Sequence, residues 1–285
     1  MRVAYQGVPG AFSEATTRAL FPSAEAMPRE TFADVFEALE HGEASAAVVP
    51  VENSYAGAVA DVYDLLRRHD SCRIVGEALL RVRHHLLGVR GAKLHEVRIA
   101  RSHPQALAQV EPFLREHGIR AVVASDTAGA AKEVARLADP SVAAVASRGA
   151  AERYGLDVLA PSIESAADNM TRFFAVTTGD AATVAAAIPD ALRSGEPKTS
   201  LAYVTANIPG ALVSSLRPFA EKGVQLTKIE SRPSREAAWD YVFYLDFLGD
   251  AALGPAAEAL ALMRPSCAWV HVLGTYPAAG SVLEP

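Results

Sequence analysis

Cysteine is scarce in this chain. Only Cys72 and Cys267 occur in 285 residues. They lie far apart and match neither a zinc-ligand spacing nor a disulfide framework. Both read as small buried hydrophobes of a reducing compartment. There is no basic tail and no run of Lys and Arg, and the 27 basic side chains are outnumbered by 33 acidic ones, for a net charge of −6. That balance speaks against nucleic acid as a partner. No apolar stretch reaches the roughly 18 residues that a membrane span requires, so no membrane partner is expected. Met1 leads directly into a short strand at 2–5, without a charged segment followed by an apolar run. A secretory leader is therefore not expected, and the expected location is the cytoplasm.

Half of the residues are hydrophobic, enough for two ordinary cores, and the length suggests two domains. The apolar patterning is that of alternating strands and helices. A strand at 3–5 runs into the turn Gly7-Val8-Pro9-Gly10, and Ser13 is placed to cap a helix over 14–21. Strand, glycine turn and helix start form a ready anion site, because the first amides of a helix lack partners. Thr31 with Asp34 resembles a capping box for a helix over 31–40. The apolar run 46–51 has the length of a strand buried on both faces and delivers Glu52, Asn53 and Ser54 to a turn, with a helix over 58–68 after it. The stretch 73–89 is extended, contains the pair His84-His85 and reads as a crossing into a second lobe, the two histidines being solvated.

From there the βα repeat is regular. A strand at 97–100 precedes a helix that starts at Ser102-His103-Pro104-Gln105 and stops at Gly118. A strand at 119–124 precedes a helix over 128–137 capped from Ser125-Asp126-Thr127, and strands at 142–146 and 156–159 flank a helix over 148–154. Such repeats build a mainly parallel sheet, with ligands beyond the carboxyl ends of the strands. The run 169–176 again places an amide, a hydroxyl and a guanidinium (Asn169, Thr171, Arg172) at the mouth of a strand. An alanine-rich linker follows at 181–197. Beyond it come strands at 199–207, 224–231, 239–247 and 268–273 and helices over 210–222 and 252–263. The order βαββαβ is the ferredoxin-like arrangement.

Five segments, taken in order, resemble bacterial prephenate dehydratases. They are Tyr5-Gln6-Gly7-Val8-Pro9-Gly10-Ala11-Phe12-Ser13, Pro50-Val51-Glu52-Asn53-Ser54-Tyr55-Ala56-Gly57, Ser102-His103-Pro104-Gln105, Asp126-Thr127-Ala128-Gly129 and Asn169-Met170-Thr171-Arg172-Phe173. Beyond the linker, Gly210-Ala211-Leu212 and Glu230-Ser231-Arg232-Pro233 resemble the two ligand-binding motifs of an ACT-type regulatory domain. The chain departs from the family where it has Gln6, Val8 and Ser165. The resemblance implies an α/β fold: a two-lobed, periplasmic-binding-protein-like catalytic domain over 1–180, then the linker and an ACT domain over 198–285. Lobe one would comprise 1–77 and 163–180, and lobe two 78–162, with the active site between them. It also implies a homodimer or homotetramer with L-phenylalanine as effector.

The chemistry so implied is loss of carbon dioxide and water from prephenate, a dianion, to give phenylpyruvate in L-phenylalanine biosynthesis. It needs no metal or organic cofactor. Thr171 is the implied donor to the leaving hydroxyl, acting by a positioned hydrogen bond or a water relay, since a threonine is a poor acid. Asn53, Ser102 and Gln109 carry over as active-site polar residues, Gln109 two turns beyond Ser102 on one helix face. Ser13, Ser125 and Thr127 supply donors for substrate carboxylates, with Ser54 and Phe173 beside them. Arg172 either forks a carboxylate or pairs with an acid, and Glu52 orients its neighbours. For the effector, Gly210, Ala211 and Leu212 suit a carboxylate, and Glu230, Ser231, Arg232 and Pro233 an ammonium. Two other readings share these features: the same reaction on arogenate, and a non-catalytic amino-acid sensor.

Overall fold

The computed structural model describes residues 1–166, 168–234 and 241–284. By internal contacts the chain divides into two compact units. One comprises Met1–Val62, Ala78–Phe173 and Val282–Pro285, the other Tyr63–Glu77 and Phe174–Ser281.

The first unit holds two α/β lobes, and two strands of the first lobe's sheet, Arg73–Arg81 and Met170–Thr177, run across the division between the units. The sheet of the first lobe has the strand order Val282–Leu283, Arg73–Arg81, Met170–Thr177, Ala46–Asn53, Arg2–Gln6, Glu25–Arg29, with Gly57–Ala58 paired to Ala46–Asn53. Arg2–Gln6 runs parallel to both neighbours. The run 46–51 is a strand buried on both faces, as its unbroken apolar sequence requires. Helix Phe32–Glu40 carries the expected capping box, Thr31 and Asp34 each accepting from the other's amide. Helix Phe12–Leu20 differs from expectation. Its cap residue is Ala11, which has no side-chain capping bond, and Ser13 already lies inside the first turn.

The second lobe has the order Asp157–Ala160, His85–Gly88, Val142–Ala146, Ile99–Ser102, Arg120–Val123. Alanines and valines of helix Thr127–Leu137 and strand Val142–Ala146 pack directly together in its core. The single helix expected up to Gly118 is two, Pro104–Gln109 and Glu111–Glu116, which meet at Val110. Pro112 has no amide hydrogen and its ring crowds the carbonyl four residues earlier, so it opens a new helix. Ser102 is the last residue of a strand, so it shares no helix face with Gln109. The chain crosses between the lobes twice, once at 82–84 and once between Ala160 and Met170. This is the two-lobed, periplasmic-binding-protein-like arrangement.

The crossings are bonded to each other. Val82 N donates to Asn169 O at 2.8 Å and Ile163 N to His84 O at 2.8 Å. The Glu164 carboxylate, 3 % exposed, accepts from His84 N at 2.8 Å and faces Arg83 at 3.5 Å. Ser165, where the chain departs from the family, donates both its amide and its hydroxyl to Gln109 O at 2.9 Å.

The second unit contains the expected βαββαβ fold. Strands Leu226–Pro233, Tyr241–Leu248, Pro197–Thr205 and Cys267–Pro277 form, in that order, an antiparallel sheet. Helices Ala211–Glu221 and Gly254–Met263 pack on one face through Phe219, Leu245, Phe247, Leu260 and Met263. The first two residues of the strand expected at 239–247 lie outside the described residues. Residues 63–77 pack on the opposite face. The rings of Tyr63 and Tyr244 meet at a tilt, 4.9 Å between centroids, and Lys198 reaches the buried Glu77 at 3.1 Å. Among the described residues no helix is long and apolar enough to cross a membrane.

Candidate active site

Two strand ends meet where the sequence placed its polar clusters. Strand Ala46–Asn53 ends in Asn53, and strand Met170–Thr177 begins with Met170 and Thr171. The Asn53 amide donates to Asn169 Oδ1 at 2.8 Å, Met170 O at 3.1 Å and Thr171 Oγ1 at 3.0 Å. Its carbonyl oxygen accepts from the amides of Tyr55 and Ala56, both at 3.0 Å. Asn53 is therefore fixed at both ends, and its orientation sets that of Thr171. Because Thr171 Oγ1 accepts this bond, its own proton remains to be donated, and no acceptor for it occurs among the described residues.

The network continues into the second lobe. Asn169 Nδ2 donates to Gln109 Oε1 at 2.8 Å, and His84 Nε2 lies 2.9 Å from the same oxygen. An acceptor already receiving a proton from Asn169 requires His84 to donate, so His84 carries its proton on Nε2. Its Nδ1 is buried and has no partner among the described residues. The chain His84, Gln109, Asn169, Asn53, Thr171 thus runs from one lobe to the other through neutral side chains.

Neighbouring residues of a strand point to opposite faces. Arg172 is buried and lies 3.7 Å from Glu52, one residue before Asn53. Thr171 with Asn53, and Arg172 with Glu52, form pairs on opposite sides of the sheet. Of the two roles open to Arg172, the structure displays pairing with an acid, Glu52. Phe173 is 1 % exposed and belongs to the core. Ser54 ties the two strand ends: its hydroxyl accepts from Met170 N at 3.0 Å and donates to Asp168 O at 3.4 Å. Ser102 is fully buried and donates to Val145 O at 2.6 Å, so its proton is committed to the backbone.

The two helix starts read as anion sites already hold carboxylates. Glu14 accepts from Gly10 N at 2.6 Å, and Asp126, the cap of helix Thr127–Leu137, accepts from Gly129 N at 2.6 Å. The Ser125 hydroxyl turns toward Asp126 at 3.4 Å, Thr127 is the first helical residue, and Ser13 is buried.

In the second unit, helix Ala211–Glu221 starts from Gly210 at φ 82°, with no side chain capping it. Leaving those first amides uncapped suits a carboxylate. Strand register then separates the second motif. Ser231 is paired with Phe243, on the helix-bearing face, and Glu230 with Tyr244, on the other. Glu230 lies 3.8 Å from Lys228, and Arg232 faces Asp64 at 3.4 Å. Within one chain, Glu230 and Arg232 are thus not on the face that carries 210–212.

The prephenate dehydratase family pattern matches residues 3–181, well over half of the chain. The chain belongs to the prephenate dehydratase family. It is 41 % identical over 286 residues to arogenate dehydratase/prephenate dehydratase 2, chloroplastic, of Arabidopsis thaliana, covering 97 % of this chain and 73 % of that protein. A prephenate dehydratase of Arthrobacter aurescens, solved in complex with L-Phe, superposes with a TM-score of 0.83 at 31 % identity, covering 97 % of this chain and 90 % of that one. A structure described as GqqA, a novel type of quorum quenching acylase, superposes at 0.87 with 35 % identity over 98 % and 99 % of the two chains.

Of the residues in this network, Asn169 was marked in the sequence only as a polar residue at a strand mouth, and His84 and Glu164 were not marked as candidates. The pair His84-His85 was expected to be solvated; both are buried, at 3 % and 4 % exposure. Two polar residues inside an otherwise apolar run were the available signal. Burial, which disfavours imidazolium, holds both histidines below the ordinary histidine pKa. The unfolded chain takes up these protons near pH 6.5, while the folded chain resists until a lower pH. Their contribution to stability is therefore whole above about pH 6.5 and is lost as pH falls toward the folded values. Melting followed by circular dichroism at pH 7 and pH 5 should show a lower Tm at pH 5, with a smaller drop in His84→Gln. An unchanged drop in that variant would remove His84 as a source.

Proposed function

We propose that the cleft of the first unit carries out the family's lyase reaction with Thr171 as the donor at the leaving hydroxyl. The bond to the ring carboxylate breaks and releases carbon dioxide. Its electron pair enters the ring, and the opposite carbon–oxygen bond breaks. One proton is consumed, so prephenate dianion and a proton become phenylpyruvate anion, carbon dioxide and water. The observation that carries this reading is the Asn53 amide at 3.0 Å from Thr171 Oγ1, which leaves the threonine proton to be offered outward. Thr171 stabilises charge on the departing oxygen by this hydrogen bond, and solvent delivers the proton. His84 remains neutral and holds Gln109. Catalysis is assigned to 1–180 and regulation to 198–285, with 181–197 between them.

Incubation with prephenate and with arogenate, followed by chromatography for phenylpyruvate and phenylalanine, tests the assignment. Conversion of neither substrate would overturn it. The arogenate arm is included because relatives such as arogenate dehydratase 2 of Petunia hybrida, 40 % identical, are named for that substrate. An acylase would need a nucleophile activated by a base. None of Ser13, Ser54, Ser102 or Ser125 is hydrogen-bonded to a histidine ring among the described residues.

Feedback by L-phenylalanine is part of the proposal. It is supported by the uncapped helix start at Gly210, the neighbouring strand motif on the same fold, and the relative crystallised with L-Phe. Because Glu230 and Arg232 lie on the other face, the effector site would be completed by a second copy, in a homodimer or homotetramer. Calorimetry should find one L-phenylalanine per chain, and the dehydratase rate should fall at saturation. Absence of binding heat with the intact protein would remove the regulatory assignment and leave the catalytic one standing. A cytoplasmic location is consistent with Cys72 and Cys267 being free thiols.

A further inference from the structure

The second unit contains a cavity that neither the reaction nor the effector motifs use. It has a volume of about 590 Å³, within the range of small-molecule sites, and its wall includes Arg67, Arg68, Arg73 and Arg264 together with Trp269 and His271. The arginines come from separate pieces of chain. Arg67 and Arg68 close helix Ala60–Arg68, Arg73 opens strand Arg73–Arg81, and Arg264 precedes the outer strand Cys267–Pro277. Cations at a helix C-terminus offset the helix dipole, which accounts for Arg67 and Arg68. It does not account for Arg73 and Arg264 converging on the same space. Arg73 is anchored by the carbonyls of Asp70 and Cys72 at 2.5 and 2.8 Å. Arg68 and Arg264 have no carboxylate partner among the described residues. Asp70 is the one acid on the wall, and it faces His271 Nδ1 at 3.5 Å. The remaining ring nitrogen of His271 is buried without a partner among the described residues.

With His271 neutral, the wall carries a net of three positive charges in a chain whose total is −6. A surplus of that size exceeds what a monocarboxylate such as an amino acid would neutralise. Guanidinium forks match the oxygens of phosphate, and the indole of Trp269 offers a flat platform beside them. We propose that this cavity binds a phosphorylated small molecule carrying a flat ring, the arginines taking the phosphates and Trp269 the ring.

The chain has two tryptophans, so Trp239→Phe leaves Trp269 as the reporter. Titration of that variant with ATP, pyrophosphate and adenosine should show saturable quenching by ATP at submillimolar concentration, weaker binding of pyrophosphate, and none of adenosine. Equilibrium dialysis of the unaltered chain against labelled ATP provides the same measurement without the substitution. Arg68→Gln and Arg264→Gln, both at exposed positions, should each weaken ATP binding about tenfold. The proposal is overturned if neither ATP nor pyrophosphate binds at millimolar concentration. It is also overturned if adenosine binds as tightly as ATP, or if ATP binding survives the combined Arg68→Gln, Arg264→Gln exchange unchanged.

Discussion

Thr171→Ala is expected to keep the fold and lose at least about 10²-fold in kcat, the usual loss for a positioned proton-transfer group. The side chain is half-buried at a strand start, and the exchange removes only its hydroxyl and γ-methyl and leaves the backbone as it is, so the melting temperature should change little. What disappears is the one hydroxyl whose proton the network leaves unspent. Thr171→Ser keeps that hydroxyl and should retain part of the rate. Asn53→Asp should cost about as much as Thr171→Ala. A carboxylate still accepts from Tyr55 and Ala56 but no longer donates to Asn169, Met170 or Thr171. Because the two residues act as one device, the double variant should be little worse than either single one. Steady-state kinetics on prephenate decide this. Near-normal turnover in Thr171→Ala would remove it from the mechanism, and additive losses would mean that Asn53 acts elsewhere.

The second large effect is expected at Gly10. The loop of the first lobe touches helix Arg148–Tyr154 of the second through Ser147 Oγ donating to Gly10 O and Tyr154 OH donating to Pro9 O, both at 2.7 Å. Gly10 has φ 92°, and a β-carbon there would stand 2.8 Å from Ala150 Cα. Only glycine fits both the backbone conformation and the gap. This contact joins the two lobes, and hinge closure around substrate, expected at the crossings, would depend on it. Gly10→Val combines left-handed backbone strain with overpacking, together about 2–4 kcal/mol against the closed state. At about 1.4 kcal/mol per tenfold, that lowers kcat/KM by about 10². Scattering should show the unaltered protein contracting with a substrate analogue and the variant failing to do so. Wild-type kcat/KM in Gly10→Val would separate this contact from catalysis.

How much was legible beforehand follows the range of the interactions. The capping box of Thr31 and Asp34 spans three residues and was readable from spacing. So was the βαββαβ order, because strand and helix write periods of two and 3.6 into the sequence. The helix break at Val110 was also written there, in Pro112, but the amphipathic pattern on either side concealed it. The motif set brought Asn53, Gln109 and Thr171 together as candidates by resemblance, without saying how they touch.

The sequence by itself determined which segments become strands and helices and which polar residues stand at their ends. Those are consequences of side-chain period and of turn chemistry over a few residues. Tertiary structure alone decided which candidates share a face. Asn53 reaches Thr171 across 118 residues and Asn169 reaches Gln109 across 60. The pairing of Arg172 with Glu52 and the separation of Glu230 from Gly210 depend on strand register. A register shift of one residue exchanges the two faces of a sheet. The neutrality of His84 likewise comes from burial between crossings that are 80 residues apart in sequence. Those placements arise when distant segments exclude water from one another, and no local pattern in the chain encodes them.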